Sequence, residues 1–368
     1  MNFDLSEDEE MLKALAERFV VDHYDTEKRK AFLGEPNGFS PAMWSLLGEL
    51  GILAAPFSEE SEGLALDATG IATIFEALGK GLTVEPVIEN VLLAGKLFEA
   101  TAPEALREEW LPAIMFGERR VALAHAEAGA RDNRLWVDTK ASGNGSGITL
   151  TGEKAFVPAG GGADGFIVSA RTSGEPGDAE GVSLYFVPAD ASGLEIRPFR
   201  LADGNLAVAL TLDGVAGESL TGGIAEIEAS QTLASLARSA EALGIMQRLF
   251  EETQEYLRTR EQFGTALANF QALQHRMVAQ YAVIEQARAL LNLALVSEGT
   301  DGFAKAVEGA RAYIAPASVE LGHEMIQFHG GMGVTDELAI GHGHKRLLVL
   351  SRWPDSPETA LDRFAGVS

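Results

Sequence analysis

The period of the apolar pattern changes twice along this chain, and that change limits the fold more than any other feature. Met11, Leu12, Leu15, Phe19 and Val20 recur at helical spacing behind an acidic start, where Ser6 and Glu9 have the form of a capping box. A second helix carries Trp44, Leu47 and Leu50 and stops at Gly51. A third is expected from Asp67, as its N-cap, to Gly79, and Pro86, Pro103 and Pro112 punctuate the rest of this first part. From about Arg119 the pattern shortens. Ile148-Thr149-Leu150-Thr151, Phe166-Ile167-Val168, 182–187 and 206–210 are short β-type runs between Gly-, Asp- and Ser-rich turns, with Thr172 to Gly181 a hairpin connection. After about Ile224 the long helical patterns return. Leu233, Leu236, Ala240, Leu243 and Leu249 share a face that runs on to Tyr256. Further helices are expected over 270–296 and 302–328, the last kinked at Pro316.

Helices, then strands, then helices give an α+β chain segregated by domain. The expected parts are an N-terminal helical domain (1–118), a middle β-barrel or sandwich domain (119–223) and a C-terminal four-helix bundle (224–368). This order excludes an alternating dinucleotide-binding fold. The glycines of 143–147 and 160–162 lack the strand-to-helix context of a phosphate fingerprint, so they read as loops, and Asn144-Gly145-Ser146 as a turn.

The formal net charge of −25 opposes binding to nucleic acid or to an anionic membrane surface. With no cysteine, disulfides, zinc-thiolate sites and thiol nucleophiles are excluded together. The acidic start does not fit a secretory signal, and no apolar run approaches the ~18 residues of a spanning helix, so a soluble cytoplasmic protein is expected.

Two segments carry ligand chemistry. Gln327-Phe328-His329-Gly330-Gly331-Met332-Gly333 follows a helix with Phe303, Val307, Ala310, Ile314, Leu321 and Met325 on one stripe. Its glycine pair lets a ligand approach the backbone and frees amide N–H groups for an anion. Earlier in the chain, Arg258-Thr259-Arg260-Glu261-Gln262-Phe263-Gly264 sets two guanidinium groups and an aromatic ring at a helix end, suited to a phosphate and a flat ring. The spacing of His342 and His344, with His329 upstream, raises a metal site, which the adjacent Lys345-Arg346 pair opposes.

Taken in order, these segments resemble the acyl-CoA dehydrogenase family, and the resemblance covers nearly the whole chain. Leu111-Pro112 with Gly117-Glu118, Ala126-Glu127-Ala128-Gly129-Ala130, Gly152-Glu153-Lys154-Ala155-Phe156-Val157-Pro158 and Phe270-Gln271 are similar to the family's motifs. Gly341-His342-Gly343-His344-Lys345-Arg346-Leu347 resembles the small subunits of pimeloyl-CoA dehydrogenases. The resemblance implies FAD as cofactor, an acyl-CoA substrate and an electron-transferring flavoprotein as acceptor. It implies FAD contacts from Arg260, Gln262, Phe263, Gln271, Gln327, Gly330 and Gly331 to a site seated in a neighbouring subunit.

The chain departs from the family where the chemistry is done. The flavin-facing threonines are Ala126 and Pro158, and the two positions that carry a catalytic glutamate are Pro354 and Ala234. Asp355 is the nearest carboxylate that could act as base, and His125 the nearest replacement donor for the flavin edge. The retained cofactor elements and missing base imply a heteromeric, α2β2 enzyme in which a larger homologous subunit carries the base. Two alternatives stay open: a self-sufficient homomer using Asp355, and a non-catalytic scaffold that binds no flavin.

Overall fold

The computed structural model describes residues 5–143 and 147–367, so the turn expected at Asn144-Gly145-Ser146 lies outside the described residues. The helical first part contains α1 (Glu7–His23), α2 (Thr26–Gly34), α3 (Pro41–Glu49), α4 (Ala68–Gly81), a π-helix (Ile88–Gly95), α5 (Lys96–Thr101) and α6 (Glu104–Met115). The capping box of α1 is formed in both directions: Glu9 N–H donates to Ser6 Oγ at 3.3 Å and Ser6 N–H to Glu9 Oε2 at 2.7 Å. α4 starts directly after Asp67, and its first N–H also donates to the Glu298 carboxylate at 2.9 Å. α2 has no apolar stripe to give it away. What it buries is Arg29, 3% exposed, whose Nε donates to the Leu82 carbonyl at 3.0 Å.

Eight strands come next: β1 (Val121–Ala124), β2 (Lys140–Ser142), β3 (Thr149–Pro158), β4 (Gly165–Arg171), β5 (Val182–Pro188), β6 (Leu194–Arg200), β7 (Leu206–Ala216) and β8 (Glu218–Ser219). They form one sheet in the order β6-β7-β3-β2-β4-β5-β8, with β1 parallel to β4. β4 and β5 make the expected hairpin across 172–181, closed by Thr172 N–H to Gly181 O at 2.8 Å. Leu150, Val157, Phe166, Val168, Val187, Val208 and Leu210 fill the core behind it. β6 escapes a pattern reading because it lies at the sheet edge, with Pro198 and outward Arg197 and Arg200 in place of apolar alternation.

The last part holds α7 (Ile224–Thr259), the two-residue strands β9 (Glu261–Gln262) and β10 (Thr265–Ala266), α8 (Gln271–Leu295), α9 (Phe303–His329), α10 (Ala339–Arg352) and α11 (Pro357–Ala365). The α9 stripe buries Val307, Ala310, Ile314, Leu321 and Met325, and Pro316 stands inside the helix without ending it. α4 and α7 cross almost backbone to backbone. A Cβ at Gly79 would lie 2.3 Å from Glu241 O, and one at Gly244 would lie 2.1 Å from Glu76 O. Two glycines on facing helices thus permit the crossing.

By contacts the chain divides into two compact units. Met1–Ala31, Ala68–Thr83 and Ser235–Ser368 make one; Phe32–Asp67 and Val84–Ala234 make the other. Among the described residues no helix is long and apolar enough to cross a membrane.

Candidate functional site

In the first unit, three helix ends converge. Tyr256, near the end of α7, stacks on His329, the last residue of α9, at 4.3 Å between ring centroids. Arg276, in the second turn of α8, lies over the Phe328 ring at 4.8 Å and holds the Glu324 carboxylate bidentately at 2.8 and 2.9 Å. The segments that carry the sequence-predicted ligand residues are therefore brought side by side.

Each of these residues faces outward. Beyond α7, β9 pairs with β10 in a hairpin whose turn residues, Phe263 (φ 56°) and Gly264 (φ 78°), are both left-handed. Glycine takes that conformation freely, whereas a phenylalanine there costs about 1–2 kcal/mol. Phe263 is nonetheless 92% exposed, its ring meeting that of Phe270 edge-on at 6.3 Å. Burial does not compensate that strain. Arg260 and Gln262 are exposed beside it, and the Arg260 guanidinium has no partner among the described residues. α8 opens at an exposed Gln271 with no side-chain cap, so the positive end of its dipole points outward. α9 ends on exposed Gln327 and on Gly330, whose φ of 58° with ψ of −136° only glycine adopts readily. Gly331 is required neither by a positive φ nor by space, since a Cβ there would meet nothing within 4 Å.

The β sheet of the second unit has the opposite character. Ala126 is bridged to Phe156, and its carbonyl accepts Ala155 N–H at 2.9 Å. Pro158 is buried at the end of β3, opposite Ala207, with no N–H to offer. His125 does not supply a substitute donor. Its Nδ1 lies 2.8 Å from Ser169 Oγ and its Nε2 2.7 Å from Arg134 O. Burial, with the charge of Lys154, brings its pKa down to about 4 and keeps the ring neutral. Beneath it Lys154, 0% exposed, is bound to Glu127 at 2.6 Å and Ser169 at 3.1 Å. Glu127 also accepts Asp138 N–H at 2.7 Å and Thr139 Oγ1–H at 2.7 Å. Burial lowers the Lys154 pKa to about 8.

The candidate base is likewise enclosed. Asp355 is 2% exposed, with Oδ1 on Arg311 Nη1 at 2.7 Å and Oδ2 on Arg363 Nη2 at 2.6 Å. Its carbonyl accepts a further Arg311 N–H, and Arg363 reaches Glu308 at 3.3 Å. Both carboxylate oxygens are spent on pinning α11 and the preceding turn to α9. Ala234 is wholly buried and offers only a methyl group. His342 is held between Arg29 at 3.3 Å and Asp336 O at 3.2 Å, and His344 packs on His323, so the two histidines do not converge. Sequence reading took Glu127 and Lys154 only as members of separate motifs and overlooked the buried network they form with Ser169, because Glu127 lies outside any strand and its partner is 27 residues away.

Three family models match consecutive stretches. The N-terminal domain of acyl-CoA dehydrogenase matches 6–118, the middle domain 122–213 and the C-terminal domain 222–354. The chain belongs to the acyl-CoA dehydrogenase family. Acyl-CoA dehydrogenase FadE27 of Mycobacterium tuberculosis is 28% identical over 91% of this chain and 90% of its own. Among solved structures, the Tcur3481-Tcur3483 steroid ACAD variant superposes with a TM-score of 0.88 at 27% identity, covering 98% and 97% of the two chains. The ChsE4-ChsE5 complex of Mycobacterium tuberculosis does so with 0.89 at 25%, covering 100% and 98%. Members of this family are flavin-dependent oxidoreductases that act on acyl-CoA, with FAD as cofactor. In this acyl-CoA dehydrogenase the donor set of the helix ends, cationic and amide-rich around open glycines, fits the phosphate-and-purine half of such a cofactor. The methyl and pyrrolidine groups of Ala126 and Pro158 offer no donor to its ring half.

Proposed function

We propose that this acyl-CoA dehydrogenase is the supporting subunit of a heteromeric α2β2 enzyme. It completes an FAD site whose flavin ring and catalytic base belong to a homologous partner. FAD, when bound, supplies the hydride acceptor for α,β-dehydrogenation of an acyl-CoA. This chain would hold the pyrophosphate with Arg260 and the α8 N-terminus, and the adenosine with Phe263, Gln262, Gln271, Gln327 and the Gly330-Gly331 backbone. The observation that carries the reading is the contrast within one chain. A strained Phe263 and a Gly331 with open space around it stay accessible to a ligand, while Asp355, the carboxylate nearest the base position, has both oxygens taken by arginines. We therefore assign Asp355 a structural role. The relatives support the heteromeric arrangement by analogy, one of them being described as a ChsE4-ChsE5 complex. The steroid ACAD neighbour favours a ring-bearing acyl group over the dicarboxylic one that 341–347 suggests, and an electron-transferring flavoprotein is the proposed acceptor.

The test is the visible spectrum. The chain expressed alone should be colourless, and it should become yellow on co-expression with a homologous acyl-CoA dehydrogenase chain from the same genome. Flavin near one per chain, with turnover, in the chain alone would overturn the proposal in favour of a homomer. A colourless product in every combination would leave a flavin-free scaffold.

A further inference from the structure

Two helix ends would share one cofactor, and no local sequence signal sets how far apart they stand. α8 offers Gln271 and the open N–H groups of its first turn; α9 offers Gln327 and the Gly330-Gly331 backbone. Helix ends fray, and a ligand that bridges two of them is held only as well as their spacing is fixed.

Arg276 and Glu324 fix that spacing. Arg276 stands five residues after Gln271, about 7.5 Å along α8, and Glu324 stands three residues before Gln327 on α9. Arg276 Nε–H and Nη2–H reach the two carboxylate oxygens at 2.8 and 2.9 Å, so the fork sets an angle between the helices as well as a distance. The same guanidinium covers the ring of Phe328 at 4.8 Å, one turn on from Glu324 and next to Gln327. From the other side, Tyr256 of α7 stacks on His329 at 4.3 Å, and His329 Nδ1–H donates to Met325 O at 2.9 Å. Both neighbouring helices thus grip the last turns of α9. A second polar link between α8 and α9, Tyr313 Oη–H to Gln286 Oε1, lies ten residues further along α8, about 15 Å from Arg276 and away from the ligand end.

The pair does little for the fold alone. The Arg276 and Glu324 side chains are 41% and 21% exposed, and ion pairs open to water add little to stability. Two long, rotamer-rich side chains are ordered there nonetheless.

We infer that Arg276 and Glu324 are positioning residues for the cofactor: their fork sets the spacing and angle at which the α8 N-terminus and the Gly330-Gly331 backbone meet the phosphate-and-purine half of FAD. The inference rests on the reading of this surface as an FAD half-site, and it gives neither residue a contact with the cofactor.

The experiment measures the rate of FAD release from the flavin-loaded complex of the co-expression test, as the rise of free-flavin fluorescence on dilution. Arg276→Lys keeps the charge and loses the fork. Glu324→Gln keeps the shape and loses the charge. The double variant Arg276→Glu/Glu324→Arg restores the pair in reverse, and since neither residue lies in a terminal turn the helix dipoles change little on the exchange. Each single variant should speed release by on the order of 10-fold, and the exchanged pair should return it to within about 3-fold of wild type. The melting temperature of the chain alone should move by less than about 2 °C throughout. A merely structural pair would show the reverse, a lower melting temperature with unchanged release, and that result would overturn the inference while leaving the FAD half-site intact. Fast release that the exchanged pair does not restore would also overturn it, giving Arg276 a direct contact with the cofactor instead. A chain that yields no flavin-loaded species, alone or with any homologous chain, would remove the half-site reading and the inference together.

Discussion

Two arginine-rich regions of the same helical unit differ in one respect that matters for function. Around Asp355, Arg311 and Arg363 are turned inward, and their guanidinium groups meet carboxylates at 2.6 to 2.7 Å. At the end of α7, Arg260 is turned outward beside a strained, exposed Phe263 and has no partner among the described residues. The first region is closed: its polar groups answer one another and the result is a fixed C-terminal helix. The second is open, with charge, aromatic surface and glycine backbone all unspent. Residue type alone therefore does not separate a structural cation from a ligand-binding one; the completeness of its local partners does.

The comparison is broken most severely by removing the closed region's anion. Asp355→Ala leaves two guanidinium groups facing each other without that counter-charge, and loss of one partner from a buried ion pair costs about 3–5 kcal/mol. Thermal unfolding should register this directly. Asp355→Asn should leave turnover of the assembled enzyme within a few-fold of wild type. Loss of a general base would instead lower kcat by about 10²–10⁴-fold, and that result would return Asp355 to the catalytic role.

A smaller effect is expected in the open region. Arg260→Ala should leave the chain's own melting curve unchanged, yet lower the flavin content of the complex by removing a charge-assisted contact of ~1.5–3 kcal/mol. Unaltered flavin release would detach Arg260 from the cofactor. Phe263→Gly sharpens the contrast further. It relieves a left-handed conformation and should raise stability by about 1 kcal/mol, while flavin is lost more readily. A variant that is both less stable and equally flavin-loaded would mean that the ring serves the fold.

The least effect comes with pH. His125 and His344 are each held near a pKa of about 4, in both cases chiefly by burial. Their folded values lie below the unfolded one, so stability is fully present above about 6.5 and is lost as pH falls toward 4. Between pH 7 and 6 the loss should be about 0.7 kcal/mol for each group. A His344→Phe variant should flatten the slope of melting temperature against pH in that interval.

What the sequence determined by itself was the architecture, because its causes act over a few residues. The change of apolar period marked where helices give way to strands and return, and Ser6 with Glu9 marked the first helix start, since a cap and its partner lie three positions apart. The Arg260–Gly264 and Gln327–Gly333 segments stood out for the same reason, as compact runs of residues with ligand-type chemistry. α2 and β6 were not legible, for one is carried by a single buried arginine and the other is a polar edge. Only the tertiary structure decided what the ionisable groups do. Asp355 is satisfied by an arginine 44 residues earlier, and His125 by a serine 44 residues later, so neither pairing has a local signature. Whether a buried carboxylate is a base or a brace depends on the guanidinium that folding brings to it, and a linear pattern carries no record of that distance.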